Sequence, residues 1–335
     1  MADTNIVLFS QVVSYLTLYV PYLTIIIGTI GAFCNFLIFT SKKLRSNTCA
    51  VYLLYSAIFD LIYIWTGTLT RLMSVHYVYL IPSQSDFYCR FRSYITIVVP
   101  VIATYFVLLA SIDRCLLTSI TRKQIFTKIR FAHWNSWLSI IFWLVCFSFI
   151  LIVYELKLRD VSANIYECVP RSGLTTTFVN IFYLSCNTVG LYTGMLIATF
   201  IAWKRLRQSQ NRVHNSRNNQ RTHMRSVDRH LIKIMFLQVG ISFILTMIRY
   251  VYKSYYYFTS NANRGPNITL RDSTLEELTI TLYYVNFAKS FPVCTLTSPL
   301  FRQIFIRRLL KLCRLDRRFL NRVNPIGSTR AMTAF

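Results

Sequence analysis

The chain has 335 residues, of which 54% are hydrophobic and only 15% charged, a composition too apolar for an ordinary soluble domain of this size. Its 37 basic and 12 acidic residues give a net charge of +25, which alone would suit a nucleic-acid-binding protein. The basic residues lie between long apolar runs, however, rather than on a folded polar surface, and this argues against nucleic acid as a partner. The composition therefore favours a protein of the lipid bilayer.

Seven apolar segments follow one another along the chain, and each is long enough to cross roughly 30 Å of hydrocarbon as a helix. Backbone amides inside hydrocarbon must be satisfied within the segment, and the sequence lacks the alternating strands of a membrane barrel. The predicted fold class is therefore all-α, a seven-transmembrane helix bundle. The predicted spans are Leu16–Phe39, Ala50–Thr70, Phe91–Leu117, Trp134–Tyr154, Phe178–Trp203, Leu231–Tyr252 and Leu278–Thr297.

The charges between the spans predict an orientation. The odd-numbered connections and the segment after span seven are strongly basic, whereas the first fifteen residues and the even-numbered connections are nearly neutral. The positive-inside rule then puts the amino terminus outside and the basic tail in the cytosol, in a multi-pass protein of the plasma membrane. The predicted regions are an extracellular N-terminus (1–15), a seven-transmembrane domain (16–300) and a cytoplasmic amphipathic helix with a basic tail (301–335).

The predicted outer face contains two of the nine cysteines, Cys89 at the start of span three and Cys168 in the second outer connection. Because this side of the membrane is oxidising, we expect these two residues to form a disulfide. Asn267 begins an Asn-Ile-Thr glycosylation sequon on the same side, although such triplets also arise by chance.

Span three ends in Asp113 and Arg114, and an arginine at the membrane face needs a partner or water. Asp113 is the adjacent partner; the alternative is an arginine that only reaches out to the interface at a helix end. Cys89 precedes Arg114 by 25 residues, about 37 Å of helix, so a single helix is predicted to join the disulfide to the Asp-Arg pair.

With these residues the chain resembles the rhodopsin-like (class A) G-protein-coupled receptors, whose third helix begins with the disulfide cysteine and ends in an Asp-Arg-Tyr triplet at this separation. The resemblance covers nearly the whole chain, because Asn35, Asp60 and Pro292 match further family positions in spans one, two and seven. It implies a divergent peptide or chemosensory receptor that binds an extracellular ligand and activates a heterotrimeric G protein.

The resemblance also implies a coupling site at the cytosolic face. Arg114 would meet the G protein when span six swings outward, and Asp228, Arg229 and Lys233 at the start of span six would belong to the same site. Asp228 is the nearest acid for a resting contact with Arg114.

The family uses the position of Asp60 for a sodium ion and a water network with span seven, which here implicates Asn35, Lys289 and Pro292. Lys289 has a depth similar to that of Asp60, so an ion pair is conceivable. On an ideal helix, however, Lys289 points about 200° away from the family position at Phe291, and the pair stays open. No other cofactor and no metal is predicted.

Ser298 is a good N-cap and Pro299 a good first-turn residue, so a short amphipathic eighth helix is predicted to begin there. Its apolar residues fall on one face and its basic residues elsewhere, a pattern typical of a helix on an anionic inner leaflet. Cys313 near its end is a predicted palmitoylation site, with an unmodified thiol as the alternative.

Several residues depart from the family pattern. Cys115 replaces the tyrosine after Arg114, Phe291 and Thr295 replace the asparagine and tyrosine of the span-seven motif, and span six has no proline. A non-signalling or scavenging seven-helix receptor therefore stays open as an alternative.

Basic and aromatic residues surround the predicted outer openings. The residues selected as ligand contacts are Arg71, Arg92, Thr96, Arg249, Tyr250 and Lys253. They would suit a peptide or small molecule with an acidic group, although aromatic belts also occur at plain membrane interfaces. Biogenic amines are disfavoured because Thr96 occupies the place of the amine receptors' aspartate, and retinal because Val285 occupies the place of the opsins' lysine.

Two other classes of protein find less support. The five histidines have no metal-ligand spacing and are not paired with acids inside a span, so no catalytic or metal-binding residue is predicted. A secondary transporter would typically have inverted repeats and paired helices broken by glycine or proline, and neither is evident.

Overall fold

The computed structural model describes residues 2–42, 44–77, 85–117, 129–160, 165–171, 174–183, 190–213, 219–259 and 266–312. These residues are predominantly helical. The helices are α1 (Ala2–Phe39), α2 (Thr48–Tyr63), α3 (Leu69–His76), α4 (Asp86–Leu117), α5 (Ile129–Cys146), α6 (Ile150–Val153), α7 (Leu174–Tyr183), α8 (Thr193–Val213), α9 (Asn219–Thr259), α10 (Pro266–Ala288), α11 (Ser290–Thr297) and α12 (Pro299–Leu312).

Within the described residues, five helical segments are long and apolar enough to cross a membrane: Ile6–Phe39, Thr48–His76, Asp86–Leu117, Ile129–Val153 and His230–Tyr256. They coincide with predicted spans one, two, three, four and six. Much of their apolar surface faces outward, as on α5, where Trp134 and Val145 are 70% and 66% exposed. Contiguous apolar surface of this kind suits lipid rather than water. The five helices therefore indicate a membrane protein.

The other two predicted spans have a different form in the structure. Span five runs from α7 to α8 across residues 184–189, which lie outside the described part of the chain. Span seven is divided between α10 and α11 at Lys289. Pro292 explains this break, because it has no N–H to donate to the carbonyl of Ala288 and its ring crowds that carbonyl. The first helix also differs from the prediction, since α1 begins at Ala2 rather than at Leu16.

Helix α4 has a central position and packs against α2, α5, α8 and α9. Its side chains Val98, Ile102 and Phe106 are fully buried, and Phe106 stacks on Tyr55 of α2 with 5.3 Å between ring centroids. The contact between α2 and α4 therefore fixes the two helices that hold most of the predicted site residues.

Helix α2 passes into α3 through a π-helical turn, Ile64–Thr68. Gly67 lies in this turn, and a Cβ atom there would come within 2.9 Å of the Tyr63 ring and 3.2 Å of the Tyr284 ring. A π turn inserts one residue and rotates everything after it, and such turns are frequent at functional sites. It therefore sets the direction in which Arg71 points.

A hairpin lies between α6 and α7, in the connection that carries Cys168. Strands β1 (Tyr154–Asp160) and β2 (Ile165–Pro170) pair antiparallel, with Leu156 opposite Cys168. Apolar and polar residues alternate from Tyr154 to Leu158, which is the period of a half-buried strand.

Candidate functional site

Predicted site residues lie at both ends of helix α4, which we call the disulfide end and the Arg114 end. At the disulfide end Cys89 is bonded to Cys168 of β2, with 5.6 Å between the Cα atoms, so the predicted disulfide is confirmed. The hydroxyl of Ser93 lies 3.3 Å from the Cys168 sulfur. On the same hairpin, a hydrogen bond from Lys157 and another from Arg171 lower the pKa of the Glu155 carboxyl. The hairpin is thus fixed across one end of the helices.

At the other end, Arg114 is almost completely buried, with 2% of its surface exposed. Its Nε and Nη2 atoms donate to Asp113 Oδ2 at 3.1 and 2.5 Å, and Nη2 also donates to Asn47 Oδ1 at 2.8 Å. The second carboxylate oxygen of Asp113 accepts a hydrogen bond from the Thr48 hydroxyl at 2.5 Å. The pair is therefore enclosed and neutralised, which excludes the alternative of an arginine that only reaches out to the interface.

The beginning of α2 supplies the partners of this pair. Asn47 caps the helix by accepting a hydrogen bond from the backbone N–H of Cys49 at 3.1 Å, and Thr48 is the first helical residue. Asparagine is among the best N-cap residues, so one side chain both starts α2 and binds Arg114. Neither Asn47 nor Thr48 was predicted for this site, although the Asn-Thr pair before an apolar run is a visible cap signal.

Three further residues were predicted for this end. The side chains of Asp228 and Arg229 lie outside the described part of the structure, so a contact of Arg114 with Asp228 stays a prediction. Lys233 is exposed on α9. Helix α8 also reaches this region, because Arg205 Nη1 donates to the carbonyl of Cys115 at 3.2 Å.

Asp60 lies between the two ends and is 8% exposed. Its carboxylate makes no hydrogen bond or ion pair with the residues that the structure describes. It borders two small cavities of about 20 and 10 Å³, and the smaller one is also lined by Asn35, whose Oδ1 atom is buried without a partner. The larger cavity has room for about one water molecule. Asp60 and Asn35 thus border one small cavity, and the polar network implied by the resemblance stays a prediction.

Lys289 lines the larger cavity together with Asp60. Its Nζ atom does not pair directly with the carboxylate but donates to the backbone and side-chain oxygens of Asn286 at 2.6 and 2.5 Å. Asp60, Asn286 and Lys289 do not form a suitable site for a sodium ion. The Asn286 oxygens are already engaged, and the ammonium group brings the balancing positive charge to the cavity of Asp60.

Exchange of Na⁺ for K⁺ is therefore expected to leave the thermal unfolding temperature of the wild-type protein unchanged. In Lys289→Gln, Asp60 loses the opposing charge, and Na⁺ at ten times its Kd is expected to stabilise the variant by about 1.4 kcal/mol. The control is Asp60→Asn/Lys289→Gln, which has no carboxylate and should show no sodium effect. Stabilisation of the wild type by Na⁺ would contradict this account.

Three arginines from three helices lie within electrostatic range of the buried Tyr284 at the disulfide end: Arg71 of α3, Arg92 of α4 and Arg249 of α9. We call these three residues the arginine cluster. Arg71 forms an ion pair with Glu277, and Arg249 Nη2 lies 3.4 Å from Glu276 Oε1. Among the residues that the structure describes, the cluster remains short of negative charge, because two carboxylates pair with its three arginines and Lys253 also lies within electrostatic range of Arg249 and Glu276.

Hydrogen bonding within the arginine cluster is also incomplete. Arg71 Nε is buried and has no hydrogen-bond partner in the part of the chain that the structure describes. Arg92 donates through Nε to the Thr70 hydroxyl at 3.1 Å, and its two Nη atoms have no partner among the described residues. The cluster can therefore accept an anionic group that neutralises it.

The remaining predicted residues have other surroundings. The Thr96 hydroxyl donates to the carbonyl of Arg92 at 2.8 Å, within its own helix, and Tyr250 is buried, with 5% of its surface exposed. Asn267 is exposed in the first turn of α10, and its glycosylation stays a prediction. Cys313 lies outside the described residues.

Comparison of the sequence with models of known protein families gives no match, and a search among curated proteins gives none either.

Proposed function

We propose that the chain is a divergent rhodopsin-like G-protein-coupled receptor of the plasma membrane. It has seven membrane spans and a short cytoplasmic eighth helix formed by α12, with the amino terminus outside. It binds an extracellular ligand at the disulfide end of the helices and activates a heterotrimeric G protein at the Arg114 end.

The observation that supports this proposal best is the arrangement of α4. One helix of 32 residues carries a disulfide to a hairpin at one end and a buried Asp-Arg pair at the other. A buried ion pair adds little to stability compared with apolar residues of the same volume. Its presence at the end of a membrane-length helix therefore favours a functional role over a purely structural one.

Movement of α9 gives a route by which Arg114 becomes accessible. Met235 of α9 lies beside the start of α2, with its sulfur 3.5 Å from that of Cys49, and Leu231 and Ile234 are buried on the same segment. In the family, span six swings outward at its cytosolic end. The same motion here would separate Met235 from Cys49 and open the region around Asn47 and Arg114. A ligand drives it only if it binds the open arrangement better than the closed one.

The test compares the intact chain with Arg114→Gln at matched surface expression, measuring basal and peptide-library-stimulated G-protein activation in cells. Glutamine keeps a hydrogen-bond donor for Asp113 but removes the cation. We expect the signal to be lost in the variant while ligand binding at the cell surface is retained. An equal signal in both proteins would refute the role of Arg114.

A receptor that takes up its ligand without signalling is the second candidate. It is favoured by Phe291 and Thr295 in place of the family's span-seven asparagine and tyrosine. Here Phe291 packs edge-on against Phe305 of α12 at 5.4 Å, an apolar contact where the family has a polar side chain. Internalisation of a ligand without G-protein activation would support this second function.

The arginine cluster supports a ligand with a carboxylate or another acidic group. We expect Arg92→Gln to weaken the response to a carboxylate-bearing peptide by about thirtyfold or more, because loss of one partner of a desolvated charge pair costs about 2–5 kcal/mol. The same peptide with an amidated C-terminus should bind both proteins equally weakly.

The matched control for that prediction is Arg90→Gln. Arg90 lies on the same helix but pairs with Asp86 at 2.7 Å, outside the arginine cluster. An equal loss of response in Arg92→Gln and Arg90→Gln would show that positive charge increases ligand association in general. It would argue against a binding site at Arg92.

A further inference from the structure

A cleft of about 450 Å³ lies between the end of α1 and helix α12, far from the arginine cluster and from Asp60. This volume falls in the roughly 300–1,000 Å³ range of small-molecule sites. The cleft is lined by Leu37, Ser41, Lys42, Ile304, Arg307, Arg308 and Lys311.

Among the described residues, the lining contains four cations and no carboxylate. Arg307, Arg308 and Lys311 come from one side of α12, because residues three and four apart are neighbours on a helix, and Lys42 faces them from the chain after α1. Arg308 Nη2 donates to the carbonyl of Thr40 at 2.8 Å and holds the two walls together. Lys42 and Lys311 have no hydrogen bond or ion pair to the described residues and can bind a ligand.

Ser41 supplies an independent sign of a missing polar partner. It lines the cleft, only 5% of its surface is exposed, and its hydroxyl oxygen is buried without a hydrogen-bond partner. Leaving a buried hydroxyl unpaired costs about 1–3 kcal/mol. A phosphate oxygen would accept a hydrogen bond from this hydroxyl while the surrounding bases neutralise its charge.

The apolar residues of the region favour a lipid as the source of that phosphate. Leu37 and Ile304 form the apolar part of the cleft, and the outward surface of α1 continues from it through Phe33 and Phe36, which are 62% and 48% exposed. Acyl chains can lie along this surface while the headgroup occupies the basic cleft. A soluble phosphate compound would leave this apolar surface of α1 uncovered.

We propose that the cleft binds the phosphorylated headgroup of an anionic phospholipid, of the phosphoinositide class, from the cytoplasmic leaflet. The site goes beyond the proposed receptor function. It needs the proposed membrane orientation but neither the outer ligand nor G-protein coupling. Bound lipid would fix α12 against α1.

The test measures equilibrium binding of a fluorescent phosphatidylinositol bisphosphate to the purified full chain in phosphatidylcholine nanodiscs. Lys42→Gln/Lys311→Gln is expected to weaken binding about tenfold or more, because each base near an anionic headgroup contributes about fivefold. The control Arg45→Gln/Arg302→Gln removes the same charge from exposed residues outside the cleft and should change affinity by less than about threefold.

Two further measurements separate the alternatives. Ser41→Ala is expected to weaken lipid binding several-fold without lowering thermal stability, because the hydroxyl has no partner among the described residues. Soluble inositol trisphosphate should compete poorly because it lacks acyl chains. Equal losses in the two double variants, unchanged binding in both, or tight binding of the soluble headgroup would each overturn the lipid site.

Discussion

Replacing Asp113 with alanine is expected to lower the free energy of unfolding by about 3–5 kcal/mol. The variant removes the carboxylate that neutralises Arg114, a side chain with 2% of its surface exposed, and also the acceptor of the Thr48 hydroxyl. A buried cation without its counter-charge is costly because water cannot replace the lost partner. The measurement is thermal or denaturant unfolding of the purified protein in detergent.

The same helix provides a matched control. Asp86 and Arg90 also form an ion pair, at 2.7 Å, but their side chains are 52% and 33% exposed. Asp86→Ala should therefore change stability by about 1 kcal/mol or less. If Asp113→Ala loses no more stability than Asp86→Ala, the ion pair of Asp113 with Arg114 is solvated.

A double variant separates stability from function. Asp113→Ala/Arg114→Met replaces the pair by apolar side chains, and we expect it to regain most of the stability lost in Asp113→Ala, because apolar replacements of buried ion pairs are often neutral. Under the proposed function it still fails to activate a G protein. A stable, signalling double variant would refute the coupling role of Arg114.

The helices that the sequence predicted correctly depend on one segment at a time. Runs of apolar residues identify membrane-length helices because the hydrocarbon thickness fixes the length, and five such helices are found among the described residues. The disulfide of Cys89 with Cys168 was predicted because these two cysteines lie on the predicted outer side, which is oxidising. The helix between Cys89 and Arg114 followed from their spacing.

The partners of the site residues could not be predicted in this way, because they depend on how helices pack. Asn47 and Thr48 reach Asp113 and Arg114 only because the start of α2 lies beside the end of α4. Their separation in sequence is more than sixty residues, and no local pattern specifies that contact.

The surroundings of Lys289 could be predicted only in part. The angular argument left an ion pair with Asp60 open, and in the structure both residues line one cavity while Lys289 Nζ donates to Asn286 rather than to the Asp60 carboxylate. The helix is interrupted at Lys289, because Pro292 has no N–H to donate to the carbonyl of Ala288, although the backbone of Lys289 keeps right-handed helical angles. The proline was visible in the sequence, but the direction in which the Lys289 side chain points can be read only from the structure.

Loss of the disulfide is the second large effect that we expect. Cys89→Ser should lower the free energy of unfolding by about 2–5 kcal/mol, because the bridge closes a loop with a sequence separation of 79 residues. Cys89 is also 3% exposed at the start of α4, so the hairpin would lose its covalent attachment to the central helix. Surface expression and unfolding temperature measure the effect.

The partner cysteine makes this prediction specific. Cys168→Ser and the double variant Cys89→Ser/Cys168→Ser should each lose about as much as Cys89→Ser, since either change breaks the same bond. Cys146→Ser is the control, because Cys146 is a free thiol on α5. Additive losses in the double variant would mean that the two cysteines act independently.

If the bond also positions the ligand site, the disulfide variants that reach the surface should lose the response to a carboxylate-bearing peptide. The hairpin would no longer be fixed beside Arg92, one turn from Cys89, whereas Cys146→Ser should respond normally.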